Sequence, residues 1–407
     1  MASAGGAEEV KHEAIFRQLI LIATSLDYSD EHGRVQMMEF LKYSLVAMDL
    51  PSGIVENMIG LLRSLTLSES DFTLVSASIL NDIKESGDEF TEEEADALLS
   101  SCLTIVSHIL RNSCGESPVL YGIYEQFVLQ GMEKEDGEIR EMSIECLGLF
   151  CLVDRTITEK HLAFFIDLVK DEDSEYRVLA LEIIFDLVMF YRPEFFPDFE
   201  MIFNTLMSIL ESGDPSLQPT VVSGMTKLYM VKCLGDRHAA LVELMTLFFA
   251  TGTDAASTQC LAYFFAVFPY VSIHNQQLIS AVAVDFLVSV SANEGGWNCS
   301  GASIAARLCE WTDSLRLVSQ QGAPEASPPC VHLELMRKVL DALKDDPTDK
   351  SLWHLLNGLR LFGTADDVVL QYLGSVCDGL FKSAPDNRAF TALKKVSQFL
   401  DNLVKES

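Results

Sequence analysis

The segment EIREMSIECLGLFCLVD, residues 138 to 154, sets two cysteines, Cys146 and Cys151, around a lone glycine, Gly148. Neighbouring thiols can form a disulfide, hold a soft metal ion or act as nucleophiles. Five residues along a helix turn the two side chains about 140° apart, too far for one disulfide or one metal. Cys146 then reads as a small buried side chain, and Gly148 as a place where a neighbouring helix approaches closely, at about 1 kcal/mol of helix propensity. The ten cysteines run from Cys102 to Cys377 with no C-x-x-C pair, a spacing that fits free thiols in a reducing compartment.

Other chemistry finds no better footing. The eight histidines are isolated, His108 and His161 falling in helical stretches, and none stands in H-E-x-x-H or at zinc spacing from a cysteine. Phosphate cradles of the G-x-x-x-x-G-K-[ST] or G-x-G-x-x-G type and the elbow G-x-S-x-G are absent. Among 60 acidic residues nothing singles out a catalytic carboxylate pair. No catalytic residue, metal, cofactor or small-molecule substrate is therefore assigned, and the protein is not expected to be an enzyme. The one modest basic group is Lys227, Lys232, Arg237 and His238 in TKLYMVKCLGDRH. A solvated turn at a helix C-terminus accounts for most of it; Lys227, Lys232 and Arg237 are the candidates for a phosphate or partner contact.

The elements around these residues repeat. EIREMSIECLGLFCL from Glu138, EYRVLALEIIFDLVM from Glu175 and SLQPTVVSGMTKLYM from Ser216 lie over one another at offsets of 37 and 41 residues, close to the roughly 40 to 47 of two-helix HEAT or armadillo units. Apolar residues return every three or four positions, Ile139, Met142, Cys146 and Phe150 in the first copy and Tyr176, Leu179, Ile183 and Leu187 in the second, and so define the core face of a helix. Partner helices follow in TEKHLAFFIDLVK, PDFEMIFNTLMSIL and RHAALVELMTLFF, the first opened by a capping box of Thr156 and Glu159. A fourth copy, STQCLAYFFAVFPYVS, drifts from the register in its later apolar positions. Helical periods recur upstream in EAIFRQLILIATSLDYSD, GRVQMMEFLKYSLVAMDL, SGIVENMIGLLRSLTL and ADALLSSCLTIVSHILRN, and no stretch alternates with period two.

The expected fold is thus an all-α, HEAT-repeat (armadillo-like) α-solenoid. Its expected parts are N-terminal helical repeats over 1–83, central HEAT repeats over 84–292, loops with a short helix over 293–330, and C-terminal helices over 331–407. NEGGWNCSGAS (293–303) and SQQGAPEASPPC (319–330) are the looser places, the second the more mobile and the site of Ser327-Pro328.

Composition narrows the partners. Hydrophobic residues make up 49% and charged ones 22% of 407 residues, enough for a sizeable core. The formal net charge of -31 repels phosphate backbones and anionic membranes, and no Lys or Arg occurs from His238 to Ala306. KESGDEFTEEEAD (84–96) reads as a solvated linker and helix N-terminus. No apolar run reaches the roughly 18 to 20 residues of a membrane span, and MASAGGAEEVKHEA is no signal peptide, so an intracellular protein without membrane contact is expected.

Four stretches resemble the C-terminal half of the condensin subunit 3 family, the CAP-G HEAT subunits. IREMSIECLGLFCLVD is similar to that family's V-R-x-x-A-V-E-C-L-G-L segment, with Ile139, Ser143 and Phe150 departing. LDYSDEHGR and SESDFTLVSASILNDI resemble the start of its C-terminal domain, and QCLAYFFAVFPYVSIHNQQ a later segment from which Ala266 and Pro269 depart. The stretches come in the family's order between residues 26 and 277. The resemblance implies a non-catalytic subunit of a chromosome-condensing complex in the nucleus and on condensed chromosomes. Its implied partners are a kleisin (CAP-H type) subunit, through it the SMC ATPase subunits, and double-stranded DNA held jointly with the kleisin. Because only the C-terminal part of the family is covered, a fragment, an incomplete gene model and a shortened paralogue are all open readings, and much of the DNA groove is expected to be missing. A general HEAT adaptor for transport or phosphatase assembly, binding basic peptides, is the competing expectation.

Overall fold

The computed structural model of the chain describes residues 5–47, 50–85, 91–293, 295–318, 330–362 and 367–406. Among these residues every regular element is helical, and the helices form two compact units, 1–190 and 191–407. A single bridge between Ala250 and Trp297 is the one β-type pairing among them. The fold class is all-α, a HEAT-repeat α-solenoid.

The first unit carries α1 (Gly5–Ala23), α2 (Glu31–Ala47), α3 (Ser52–Leu65), α4 (Glu69–Glu85) and α5 (Glu92–Arg111). It continues with α6 (Pro118–Ile123), a wide π turn over Tyr124–Val128, α7 (Leu129–Met132), α8 (Gly137–Val153), α9 (Arg155–Lys170) and α10 (Arg177–Tyr191). Alternate helices stack, α1 on α3, α3 on α5 and α5 on α8 in one layer, and α2 on α4 and α4 on α6 in the other. Each layer covers the apolar stripe the other leaves open, so no helix is buried all round.

Local chemistry sets the helix ends. Thr91 accepts from the Glu94 N–H while the Glu94 carboxylate accepts from the Thr91 N–H at 2.8 Å, a capping box that starts α5 within the acidic stretch. Ser117 accepts from the Val119 N–H with Pro118 opening α6. The capping box expected of Thr156 and Glu159 does not form. Asp154 caps α9 by accepting from the Thr156 N–H at 2.8 Å, and Glu159 instead pairs with Arg155 at 3.0 Å. With Asp154 as the N-cap, α9 already begins at Arg155, so Thr156 lies inside the first turn and cannot cap it.

Of the expected core positions, Ile139, Cys146, Phe150, Tyr176, Ile183 and Leu187 are buried, and Met142 and Leu179 are half-buried. Met142 stands at the edge of its stripe, where its Sδ accepts from the Ser100 hydroxyl at 3.5 Å. On α1 and α2, by contrast, Ile15, Leu19, Ile22, Phe40 and Tyr43 are exposed, Tyr43 at 72%.

The second unit begins with α11 (Phe199–Ser212), α12 (Gln218–Met230), α13 (His238–Phe249), α14 (Ala255–Val271) and α15 (Ile273–Ala292). It ends with α16 (Gly301–Trp311), α17 (Val331–Asp345), α18 (Lys350–Gly358), α19 (Asp367–Phe381) and α20 (Asn387–Glu406). The same alternation holds: α12 packs on α14, α14 on α16, α16 on α18 and α18 on α20, with α11, α13, α15, α17 and α19 forming the second layer. The register drift of the fourth copy has a cause. Phe264 and Phe265, adjacent in sequence, are both buried, the first stacked on Phe268 and the second on Trp311 at 4.5 Å. Pro269 lies inside α14, and the Asn275 side chain, itself buried, donates to the Phe268 carbonyl at 2.8 Å as the chain turns into α15.

The polar stretch at 293–303 is anchored. Trp297 Nε1 donates to the Asn293 carbonyl, the Asn298 N–H to Phe249 and the Thr251 N–H to Gly296, whose φ of 91° suits only glycine. Ser300 then caps α16. Residues 319–329, with Ser327 and Pro328, lie outside the described residues. No single helix among the described residues is long and apolar enough to cross a membrane.

Candidate functional site

Cys146 is buried on the seam between α5 and α8, where its S–H donates to the Leu103 carbonyl at 3.4 Å. Burial pushes its thiol pKa well up and that of Cys151 up to about 12, so neither supplies a thiolate at neutral pH. Among the described residues all ten cysteines are free, and no three metal-ligating side chains converge. His161 is held by the Tyr124 hydroxyl of the π turn at 2.6 Å, with Lys160 Nζ donating to the same oxygen at 3.3 Å. Tyr124 is fully buried and edge-on to Phe150. That hydrogen bond ties the π turn to α9, with His161 half-buried and Lys160 exposed beside it.

The basic turn of the second unit separates into unequal parts. Lys227, near the end of α12, and Lys232, in the turn at φ 61°, are exposed. Arg237 is engaged within the unit: it pairs with Glu200, and its guanidinium lies 4.8 Å from the ring centroids of both Phe199 and Phe203. Arg192, which sequence reasoning passed over, braces this turn by donating to the Val231 carbonyl at 2.8 Å and to Cys233 Sγ at 3.1 Å. It does so at φ 70° and ψ 157°, a region that costs a non-glycine residue about 1–3 kcal/mol. Two free lysines are a small anchor for a polyanion.

Two open concave features lie in the first unit, along the edge where α5, α8 and α10 begin. One is an open pocket of about 570 Å³ walled by Glu92, Glu93, Asp96, Asp136 and Glu138. Lys134 pairs with Asp96 there at 2.6 Å. The other, of about 460 Å³, has a different character. Its floor is apolar, made of Met132, Ile144, Phe164 and Leu168, and its rim carries Asp171, Asp173 and Glu175. Arg140 lines the wall and donates to the Lys134 carbonyl at 2.6 Å. The Tyr176 hydroxyl donates to the Gly137 carbonyl at 3.3 Å, so the two pockets flank one ridge. No motif announced this groove, because its residues come from four elements. Tyr176 and Arg140 were visible only as repeat positions.

The comparisons with known proteins agree with one another. The model of a family described as nuclear condensing complex subunits, C-terminal domain, matches residues 101–361. Condensin complex subunit 3 of Schizosaccharomyces pombe is 23% identical over 393 residues, covering 81% of this chain and 45% of the relative. Its counterpart from Saccharomyces cerevisiae is 21% identical, covering 97% and 47%, and that from Homo sapiens 22% identical, covering 65% and 36%. The chain thus spans about half the length, or less, of the curated relatives it matches. In the crystal structure of the S. pombe condensin Cnd3–Cnd2 subcomplex, one chain shares this fold with a TM-score of 0.82 at 23% identity, over 95% of this chain and 53% of that one.

Proposed function

Because the chain belongs to the condensin subunit 3 family, we propose that it serves as a non-catalytic HEAT-repeat subunit of a condensin complex, binding the kleisin subunit and, through it, the SMC ATPase subunits. The observation that carries this reading is the family match over most of the helical array, joined to a shared fold with Cnd3, a protein crystallised as a subcomplex with Cnd2. Its work is to hold partners, since stacked repeats offer an extended surface to a linear segment.

Engagement of DNA belongs, in this reading, to the assembled complex on chromosomes in the nucleus. The net charge is -31, and with Arg237 committed to Glu200, Phe199 and Phe203, Lys227 and Lys232 are the lysines of the basic turn left to contribute. Co-purification from mitotic cells tests the proposal. Recovery of SMC and kleisin subunits supports it. Recovery of transport cargo or a phosphatase instead identifies a general HEAT adaptor and sinks it.

A further inference from the structure

We infer that Arg192 is a positioning residue: it holds Lys232 in a strained turn so that the lysine's ammonium meets a backbone phosphate when the assembled complex engages duplex DNA. The inference rests on the reading of the chain as a condensin subunit, and it adds to the DNA contact a residue that charge alone did not single out. Backbone strain points to it. Among the described residues the non-glycine residues with positive φ are Arg192, at 70°, and Lys232, at 61°. They meet at one turn. Arg192 Nη1 donates to the Val231 carbonyl at 2.8 Å and to Cys233 Sγ at 3.1 Å, and so grips the residues on either side of Lys232. Glycine would relax both positions, and strain that a fold maintains collects where a group must be presented.

The rest of the turn fixes the backbone beneath the lysine. The Lys232 N–H donates to the Tyr229 carbonyl at 3.0 Å and the Cys233 N–H to the Leu228 carbonyl at 2.8 Å, which closes α12. The Tyr229 hydroxyl donates to the Arg237 carbonyl at 2.6 Å, and Cys233 and Leu234 are buried. The Lys232 side chain is exposed, and among the described residues neither it nor Lys227 forms an ion pair. Of the acids on the flanking segments, Glu200 pairs with Arg237, Asp198 caps α11 by accepting from the Met201 N–H at 3.0 Å, and Asp236 lies 3.8 Å from His274 Nε2. Glu194 is exposed. Arg192, Lys227, Lys232 and Arg237 thus match Glu194, Asp198, Glu200 and Asp236 in number, and the turn is locally neutral in a chain of net charge -31. Such a site is a point contact and not a basic groove. A backbone that cannot yield removes part of the ordering cost of a lysine–phosphate contact, and a contact of this kind sets position without reading sequence.

The test uses the complex assembled from this chain and the kleisin and SMC subunits of the same cell, with a short fluorescein-labelled duplex read by anisotropy across a salt series. Lys232→Gly removes the amine and relaxes the turn. It should raise the urea midpoint of the chain and lower the slope of log K against log salt by about 0.9, the share of one phosphate contact. Arg192→Lys keeps the charge but not the guanidinium that grips carbonyl and sulfur together. It should lower the slope toward the Lys232→Gly value, and in the Lys232→Gly background it should change nothing further. A wild-type slope in Arg192→Lys, or equal losses with and without the Lys232 amine, would show that Arg192 does not act through Lys232; the inference then falls and the lysine keeps its contact. An unchanged slope in Lys232→Gly, or no duplex binding by the wild-type complex, would overturn both the inference and the DNA part of the proposed function. Recovery of the complex by co-purification decides the partner-holding part separately.

Discussion

A side-chain carbon added at Gly148 would lie 2.7 Å from Cγ1 of Ile183, closer than packed carbons approach. The glycine on α8 and the isoleucine on α10 are therefore complementary parts of one helix contact. Gly148→Ala gains about 1 kcal/mol of helix propensity and meets overpacking of about 1–3 kcal/mol, so a net loss of up to about 2 kcal/mol is expected in urea unfolding. Ile183→Ala alone opens a cavity, at about 2–5 kcal/mol. Combined, the two substitutions should cost clearly less than their sum, and strict additivity would show that the contact is not made.

Arg237 separates a structural role from a nucleic-acid role. Its two ring contacts are worth about 0.5–1 kcal/mol each, and the pair with Glu200 adds little because that carboxylate is 69% exposed. Arg237→Ala should therefore lower stability by about 1–2 kcal/mol while leaving any low-salt binding of a short duplex unchanged. Lys227→Glu with Lys232→Glu should do the reverse: unchanged stability, and loss of whatever duplex binding the chain has.

His332 gives the second unit a pH dependence. It is buried, its Nδ1 accepts from the Arg360 N–H at 2.8 Å, and its Nε2 lies 3.1 Å from the Cys309 carbonyl. The ring is thus held neutral, and burial lowers its pKa despite the opposing pull of Asp313. A base whose folded pKa lies below its unfolded value binds more protons when unfolded. Its contribution is complete above the unfolded value of about 6.5 and is lost as pH falls below that toward the folded pKa. His108 and His161 shift in the same direction. Urea midpoints should fall between pH 7.5 and 5.5, and His332→Gln should flatten that slope whatever it does to the midpoint at pH 7.5.

How much of this could be read in advance depended on the range of the interactions. The alternation of Ile139, Cys146 and Phe150 with the matching Tyr176, Ile183 and Leu187 fixes two helix faces locally, and the offset between copies implies stacking. The close approach at Gly148 was visible as a missing side chain on a helix, although its partner Ile183 was not. The α9 cap was misassigned because Thr156 and Glu159 have the right spacing, while Asp154 competes from outside the pattern. The groove was illegible for a different reason: Phe164, Arg140 and Asp173 share no period, and only tertiary packing makes them neighbours.

Thiol reactivity should follow burial. Cys114 is exposed, whereas Cys102, Cys146 and Cys151 are buried, with thiols pushed up to about 12 for Cys102 and Cys151. An alkylating maleimide at pH 7.5 should label Cys114 within minutes and those three only as the chain unfolds in urea, as peptide mapping would show. Early labelling of Cys146 would contradict the α5–α8 seam.

The apolar side chains left open on α1 and α2, among them Leu19, Ile22 and Tyr43, oppose the chain's own charge. At low ionic strength the net charge of -31 makes two molecules repel before those faces can meet. Near 1 M salt the screening length shrinks to about 3 Å, and attraction between the open faces is no longer masked. Colloidal behaviour should then invert: light scattering at rising salt should pass from repulsive to attractive, and Leu19→Glu with Ile22→Glu should keep it repulsive throughout.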